Sequence, residues 1–308
     1  MVQEDKTRIM SDYHSPVLLK ESLECLLSNA EGIYVDVTFG GGGHSKEILK
    51  KLGSKGKLIV FDQDDDAKKN LIEDDRIVYV DSNFRHVYRF WKWMKLDKVD
   101  GILADLGVSS HQFDEADRGF SYRFDSDLDM RMNQDSYLTA SKILESYDES
   151  ALQRMFSEYG EVRNSKTLAR EIVKQRRSGK FIVTSHDLNT LLDAHKIGDK
   201  FKYFSQVYQA IRIEVNDEMT ALKEMLEGGL KILKKGGKMV VISYHSIEDR
   251  MVKNFMKTGN ANGEMMKDVY GRSLSKIKME KKMIVPTDKE QSENKRSRSA
   301  KMRVGLKI

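Results

Sequence analysis

Four short apolar runs, each closed by a glycine turn, an acid or a small polar cluster, constrain this chain more than any other feature. Ile33 to Thr38 leads into four consecutive glycines, Gly40 to Gly43. Lys57 to Phe61 ends at Asp62, Ile77 to Val80 leads to Ser82-Asn-Phe84, and Val99 to Ala104 ends at Asp105. Continuous apolar runs of this length predict strands covered on both faces. Between them the period changes. His44 to Leu52 places Ile48, Leu49 and Leu52 on one side of a helix. Strands alternating with helices predict an α/β fold with a doubly wound, Rossmann-like parallel sheet.

The alternation stops near Asp114. From there to Gln206 no convincing buried strand is found, and apolar residues recur at helical spacing: Ala151, Leu152, Met155 and Phe156; Leu168, Ile172 and Val173; Leu188, Leu191 and Leu192. It then resumes. A helix from Glu218 to Leu233 is stopped by Gly236-Gly237, a strand runs from Lys238 to Ser243, and a last one from Lys301 to Leu306. Thr258 to Asp268 and Thr287 to Arg298 read as loops. The expected organisation is a core over 1–113, an inserted helical domain over 114–206, and the rest of the core over 207–308.

Composition narrows the class. No apolar run approaches the ~20 residues of a membrane span, and the charged N-terminus lacks the apolar stretch of a secretory signal. The single cysteine, Cys25, cannot form an internal disulfide. A reducing, cytoplasmic setting is expected. The net charge of +5 is unevenly placed: 15 Lys or Arg and 6 Asp or Glu lie between Lys253 and Ile308. Such a basic tail suits nucleic acid, or is simply solvated. His245-Ser-Ile-Glu248 is not H-E-x-x-H and the histidines are scattered, so no metal site is expected.

In doubly wound sheets ligands bind beyond the carboxyl ends of the strands. Glycines at the first such end allow close backbone approach and leave amides free at the next helix N-terminus. Asp62, at the end of the second strand, can accept hydrogen bonds from ribose hydroxyls. Phe84, after the third, can stack on an adenine ring. Asp105, after the fourth, can hold an ammonium group. Read singly, each has a plainer role: a tight turn, a helix cap, core packing. Together they suit a dinucleotide or S-adenosylmethionine. Four glycines in a row match G-x-G-x-x-G poorly, and the phosphate-loop pattern is absent.

Longer motifs run in order through the chain. They are His14-Ser-Pro-Val-Leu-Leu19, Tyr34-Val-Asp-Val-Thr-Phe-Gly-Gly-Gly-Gly-His-Ser45, Asp100-Gly-Ile-Leu-Ala-Asp-Leu-Gly-Val-Ser-Ser110, Arg118-Gly-Phe-Ser121, Asp127-Leu-Asp-Met-Arg-Met132, Gln209-Ala-Ile-Arg-Ile-Glu-Val-Asn216, Tyr244-His-Ser-Ile-Glu-Asp-Arg250 and Arg296-Ser-Arg-Ser-Ala300. In these the chain resembles the RsmH/MraW family, S-adenosylmethionine-dependent enzymes that methylate N4 of a cytosine in small-subunit (16S) ribosomal RNA. The resemblance implies a class I methyltransferase sheet with a helical insertion that recognises substrate. It implies a cofactor pocket lined by Gly42, Gly43, His44, Asp62, Phe84, Asp105 and Gln112. Four positions depart from the family's usual residues: His111 for Pro, Tyr244 for Phe, Gln206 for Arg and Lys295 for Pro.

The chemistry implied is in-line methyl transfer to a weakly nucleophilic exocyclic amine, where positioning can contribute several kcal/mol. Asp105, Ser109 and Ser110 follow the fourth strand and lie nearest the acceptor. Tyr244 and His245 follow the fifth and should flank the same cavity, where a flipped cytosine could stack on Tyr244 or bond to His245. His245 has a plainer reading beside a helix N-cap at Ser246. Asp127 and Arg131 could meet the substrate or fix a turn. Arg212, Glu214 and Asn216 could form a polar wall or a solvated face. RNA contact is expected from Lys166, Arg170, Lys174, Arg176 and Arg177, and from Arg296, Arg298 and Arg303, with affinity that falls with salt. Arg85-His-Val-Tyr-Arg-Phe-Trp-Lys-Trp93 mixes basic and aromatic residues but reads as a packing helix. The expected partner is small-subunit ribosomal RNA, within a ribosomal particle, with no membrane and with a homodimer left open. The competing readings are a nicotinamide-dependent dehydrogenase on a similar sheet and a non-catalytic RNA-binding assembly protein.

Overall fold

The structure, a computed structural model, describes residues 16–109, 112, 113 and 115–308. These form two compact units. One holds the described residues up to Gly107 together with Met219–Ile308, and the other is Val108–Glu218. The expected insertion, 114–206, is narrower than this second unit at both ends.

The first unit is built on a seven-stranded sheet. Its strands are β1 (Ile33–Asp36), β2 (Lys57–Asp62), β3 (Ile77–Asp81), β4 (Val99–Asp105), β5 (Leu233–Ser243), β6 (Ile277–Met279) and β7 (Lys301–Lys307). They lie in the order β3-β2-β1-β4-β5-β7-β6. The first five run parallel. β7 is antiparallel to β5, and β6 to β7. The chain moves outward from β1 to β2 and β3, then returns to β4 on the other side. The order therefore reverses between β1 and β4, where a crevice opens at the carboxyl ends. The apolar runs explain the sheet: Tyr34, Leu58, Val60, Ile102, Leu103, Val240 and Ile242 are all buried.

Helices α1 (Leu19–Leu26), α2 (Gly43–Lys51) and α3 (Val87–Met94) belong to the first half of this unit. The second unit is helical, with α4 (Ala140–Ser146), α5 (Glu149–Gly160), α6 (Ser165–Arg177), α7 (Ser185–His195) and α8 (Lys200–Asn216). The expected boundary at 206 falls inside α8. Side chains of Thr139, Asp148, Thr184 and Asp199 accept backbone N–H groups and start four of these helices. The helical repeat seen in the sequence forms their common core, with Leu152, Phe156, Leu168, Ile172, Leu188 and Leu192. The chain returns through α9 (Glu218–Ile232) and continues with α10 (Ser246–Thr258) and α11 (Asp288–Glu293).

Two local expectations need correction, and one strand was not anticipated. β5 begins at Leu233, not after the glycine pair. Gly236 takes a positive φ of 79°, and the β4 register shifts between Val99 and Gly101, so the strand bulges through the pair. β6, only three residues long, has no readable pattern. The segment Thr287 to Arg298 is not a loop: Thr287 caps α11, and Asn294 caps a 3₁₀ turn at Lys295–Ser299.

Candidate active site at the carboxyl ends of the first and fourth strands

The site grows from the way β1 ends. Asp36 is buried at its last position. Its carboxylate accepts the Thr38 N–H at 3.1 Å and the Ser45 hydroxyl at 2.7 Å. Burial nevertheless dominates and raises its pKa, with His44, Ser45 and Thr38 opposing. The Thr38 hydroxyl then accepts the backbone N–H of Asp105 at 2.7 Å. One strand end thus positions the next.

The glycine turn follows. Gly40 and Gly42 have positive φ values of 50° and 73°. The Gly40 N–H donates to Asp62 Oδ2 at 2.7 Å, and the Asp64 N–H donates to Oδ1 at 2.9 Å. Asn70 Nδ2 donates to the Gly40 carbonyl at 3.1 Å. Gly43 is required for a different reason: a Cβ there would lie 2.4 Å from Pro16 Cγ. The Pro16-Val17 segment is seated on the turn, and His44 Nε2 lies 3.2 Å from the Val17 carbonyl.

Asp105 is the hub. The Tyr244 hydroxyl donates to its Oδ1 at 2.7 Å, and His44 Nδ1 lies 3.8 Å from its Oδ2. Burial pushes Asp105 up to about 6, opposed by His44 and the Tyr244 hydrogen bond, with Asp36 and Glu248 adding to the rise. Asp62 is also pushed up to about 6, again chiefly by burial. Burial and then the charge of Asp105 hold the Tyr244 phenol well above its usual range. Phe84 opens a 3₁₀ turn capped by Asn83, whose side chain donates to Gln63 Oε1 at 2.8 Å. The turns after β2 and β3 are thereby tied together.

The structure thus brings Gly42, Gly43, His44, Asp62, Asp105 and Tyr244 into one region, and Phe84 lies on a turn beside it. Gln112 and Ser109 belong to the helical unit. Each donates its N–H to the other's side chain, at 3.1 and 3.0 Å. Ser110, His111, Asp114 and the His14-Ser15 part of the first motif lie outside the described residues. His245, not Ser246, caps α10: the Glu248 N–H donates to its Nδ1, while the Glu248 carboxylate accepts the Tyr244 and His245 N–H groups.

Several motif residues tie the helical unit together. Arg131 makes a two-pronged pair with Asp129 and donates to the carbonyls of Gln134 and Ser136. Asp127 makes an isolated antiparallel bridge with Thr184. Arg212 pairs with Glu218 at 2.8 and 2.9 Å. Glu214 accepts from the Tyr147 hydroxyl. Asn216 accepts the Met132 N–H and donates to the Met130 carbonyl. Of the expected RNA-facing cations, Lys166, Arg170, Lys174 and Arg177 form an exposed stripe on α6. Arg176 instead donates to the carbonyls of Leu144 and Glu145. Arg303 is buried on Asp249 at 2.6 and 3.0 Å. Arginines near an RNA motif can serve the fold, and only the packing shows which do.

Asp36, Thr38 and Ser45 were missed as site residues. Their signal was present in Asp36-Val-Thr38, where two polar side chains interrupt an apolar strand end.

A Rossmann-like sheet with a glycine turn after β1, an acid after β2 and a part-buried acid after β4 defines a class I S-adenosylmethionine-dependent methyltransferase. The residues fit that cofactor. The glycine turn leaves Gly42 without a side chain, and two carboxylates held near 6 by burial would gain from hydroxyl donors and a cation. The chain belongs to the MraW methylase family, whose model matches residues 11–308. It is 54% identical to a ribosomal RNA small subunit methyltransferase H of Parabacteroides distasonis, over 97% of this chain and 98% of that one. It is 51% identical to the protein of the same name from Christiangramia forsetii, over 97% and 99%. A solved rRNA methylase structure from Streptococcus thermophilus aligns over 94% of this chain and 93% of that one, at 10% identity and a TM-score of 0.37.

Proposed function

We propose that this protein methylates the exocyclic N4 amine of a cytidine in small-subunit (16S) ribosomal RNA. Support for the RNA comes from relatives named small subunit methyltransferases, about half identical over nearly their whole length. Support for the chemistry comes from one observation: Asp105, raised by burial, carries the Tyr244 hydroxyl at 2.7 Å beside the glycine turn.

S-adenosylmethionine supplies an electrophilic methyl group on a sulfonium. Gly42, Gly43, His44, Asp62, Phe84 and Gln112 are assigned to hold it. Asp105 takes the ammonium group and, through Tyr244, sets the edge of the acceptor cavity. The cytosine amine is a weak nucleophile because its lone pair is delocalised into the ring. Acceptors from Asp105 or Ser109 would polarise its N–H bonds and aim the nitrogen, while His245, whose Nδ1 already accepts the Glu248 N–H, would position the segment after β5. With the acceptor so held, the nitrogen would take the methyl group in line as the carbon–sulfur bond broke, and the amine proton would leave to water. Ser110, Asp127, Arg131, Arg212, Asn216 and Tyr244 are assigned to the substrate side. The helical unit, with its α6 stripe, is assigned to RNA phosphates. The setting is a cytoplasmic ribosomal particle. Among the described residues no helix is long and apolar enough to cross a membrane.

The test is transfer from labelled S-adenosylmethionine to small ribosomal subunits from cells lacking this activity, and to the same RNA stripped of protein. Nucleoside mass spectrometry should show N4-methylcytidine. Label in any other nucleoside, or none despite cofactor binding, rejects the assignment.

A further inference from the structure

The end of the sheet opposite the site carries features that methyl transfer does not use. β4 spans Val99 to Asp105, so its start lies ~20 Å from the Asp105 end at 3.3 Å per residue. β5, β6 and β7 place Lys238, Ile277 and Lys307 at that same start level.

Three lysines gather there. Lys307 Nζ donates to the carbonyls of Leu230 and Leu233, and Lys98 Nζ donates to the Lys231 carbonyl. Lys276 adjoins them, its carbonyl accepting the Ile308 N–H. The carbonyl end of α9 favours cations, yet the crowding is costly: burial, then Lys98 and Lys276, hold Lys307 below the usual lysine range. Lys98 also lies 4.4 Å from the Trp91 ring centre. Nearby acids are partly used, Asp100 by Lys234 and Glu280 by Lys238. Asp97 is exposed.

Next to Lys276 stands a hairpin. Lys267 and Ser273 bridge its arms, and Asp268 closes its turn by accepting the Tyr270 and Arg272 N–H groups at 2.9 Å each. The turn is built, not slack, and it projects Val269 and Tyr270, which are 94% and 82% exposed. The Arg272 guanidinium lies 5.9 Å from the Tyr270 ring centre. An exposed aromatic with an arginine beside it, on a hairpin whose second arm leads into Lys276 and its neighbouring lysines, matches unpaired nucleic acid, which offers a base face and phosphates together. A purely apolar partner would not match the lysines.

We propose that this end of the sheet is a second RNA-docking surface, with an unpaired base stacked on Tyr270 and phosphates held by Arg272, Lys276 and Lys98. The inference rests on ribosomal RNA being the substrate. It adds that the RNA is gripped at two ends of the sheet unit, so a short RNA carrying only the target cytidine would be a poor substrate.

The experiment compares the full-length protein with a Tyr270→Ala, Arg272→Gln, Lys98→Gln, Lys276→Gln variant. Filter binding to extracted small-subunit RNA and to intact small subunits is measured across a salt series, with KM and kcat for methyl transfer. The variant is expected to bind stripped RNA about tenfold more weakly and to lose about 2 from the salt slope, at ~0.7 per cation for single strands. KM should rise, with kcat and S-adenosylmethionine affinity unchanged. A Lys98→Arg, Lys276→Arg variant should bind like the wild type. Unchanged affinity and slope overturn the proposal. So does loss confined to intact particles, which points to a protein partner, or an equal loss in the Arg variant, which points to packing. If the wild type methylates no small-subunit RNA, the proposed function fails, while the binding ratio still decides the docking surface.

Discussion

Asp105→Asn should make the protein more stable and less able to hold its cofactor. The carboxyl is pushed from 3.8 to about 6, chiefly by burial. That shift is worth about 3 kcal/mol between the two protonation states. The sign follows from linkage. Below the unfolded value of 3.8 both states are protonated and nothing is lost. As pH rises toward 6 the unfolded chain ionises first, so the folded state is progressively disfavoured. Above about 6 the penalty is complete. Asparagine removes it and can still accept from the Tyr244 hydroxyl. A gain of about 1–3 kcal/mol is expected at pH 7.5, and about half of it at pH 5. For a unit of this size that is a rise in Tm of roughly 3–8 °C at the higher pH. Wild-type affinity for S-adenosylmethionine should run the other way. A bound cation returns Asp105 toward its ordinary value, so binding at pH 5 should be about tenfold weaker than at pH 7.5. In Asp105→Asn affinity should fall at pH 7.5, and only the share of the pH dependence due to Asp62 should remain. Thermal melts and calorimetric titration at both pH values test this. A Tm gain of equal size at both, or a loss at pH 7.5, would refute the reasoning.

Tyr244→Phe removes the hydrogen bond that lowers Asp105, so the midpoint of the pH–affinity curve should move upward by up to about one unit, read by the same titration. Gly43→Ala would place Cβ 2.4 Å from Pro16 Cγ. It should destabilise by about 1–3 kcal/mol in denaturant melts and weaken cofactor binding as Pro16 is displaced. Thr38→Val keeps the shape but leaves the Asp105 N–H without its acceptor, a loss of about 1–3 kcal/mol. Its kcat should fall more than its stability suggests if Thr38 sets where Asp105 points.

The sheet was legible because each of its central strands is a continuous apolar run, and only parallel strands covered on both faces need that. β6 was not, since three residues hold no period. Asp62 and Asp105 could be read from their places at strand ends. The part played by Pro16 could not: its contact with Gly43 joins residues far apart in sequence, and nothing local in His14-Ser-Pro-Val-Leu-Leu19 points to that partner. The same limit applied to the arginines. Arg176 and Arg303 share the local composition of Arg170 and Arg298, yet the fold turns the first pair inward onto carbonyls and Asp249. Charge patterning identifies a basic segment; packing decides which of its side chains are left to meet a ligand.

The relation between β1 and β4 explains why chemistry is possible at this point of the sheet. The ladder runs through Asp36 opposite Leu103, and the Val37 N–H still reaches the Leu103 carbonyl at 2.9 Å. One step later the pairing changes kind: the Asp105 N–H finds the Thr38 hydroxyl, not a backbone carbonyl. A side chain has replaced the ladder where the strands part, so the crevice opens without leaving that donor unsatisfied. Among the described residues, the polar groups around the opening come chiefly from the two strand ends and from the segments that follow β1, β2 and β5. Two carboxylates there are pushed up to about 6 because their partial burial is not matched by a full counter-charge. That arrangement costs stability, and a ligand bringing both hydroxyl donors and a positive charge would relieve the cost. A nicotinamide cofactor also brings ribose hydroxyls, but no ammonium group. On the proposed assignment of that group to Asp105, the acid after the fourth strand tells the two cofactors apart more sharply than the glycines do.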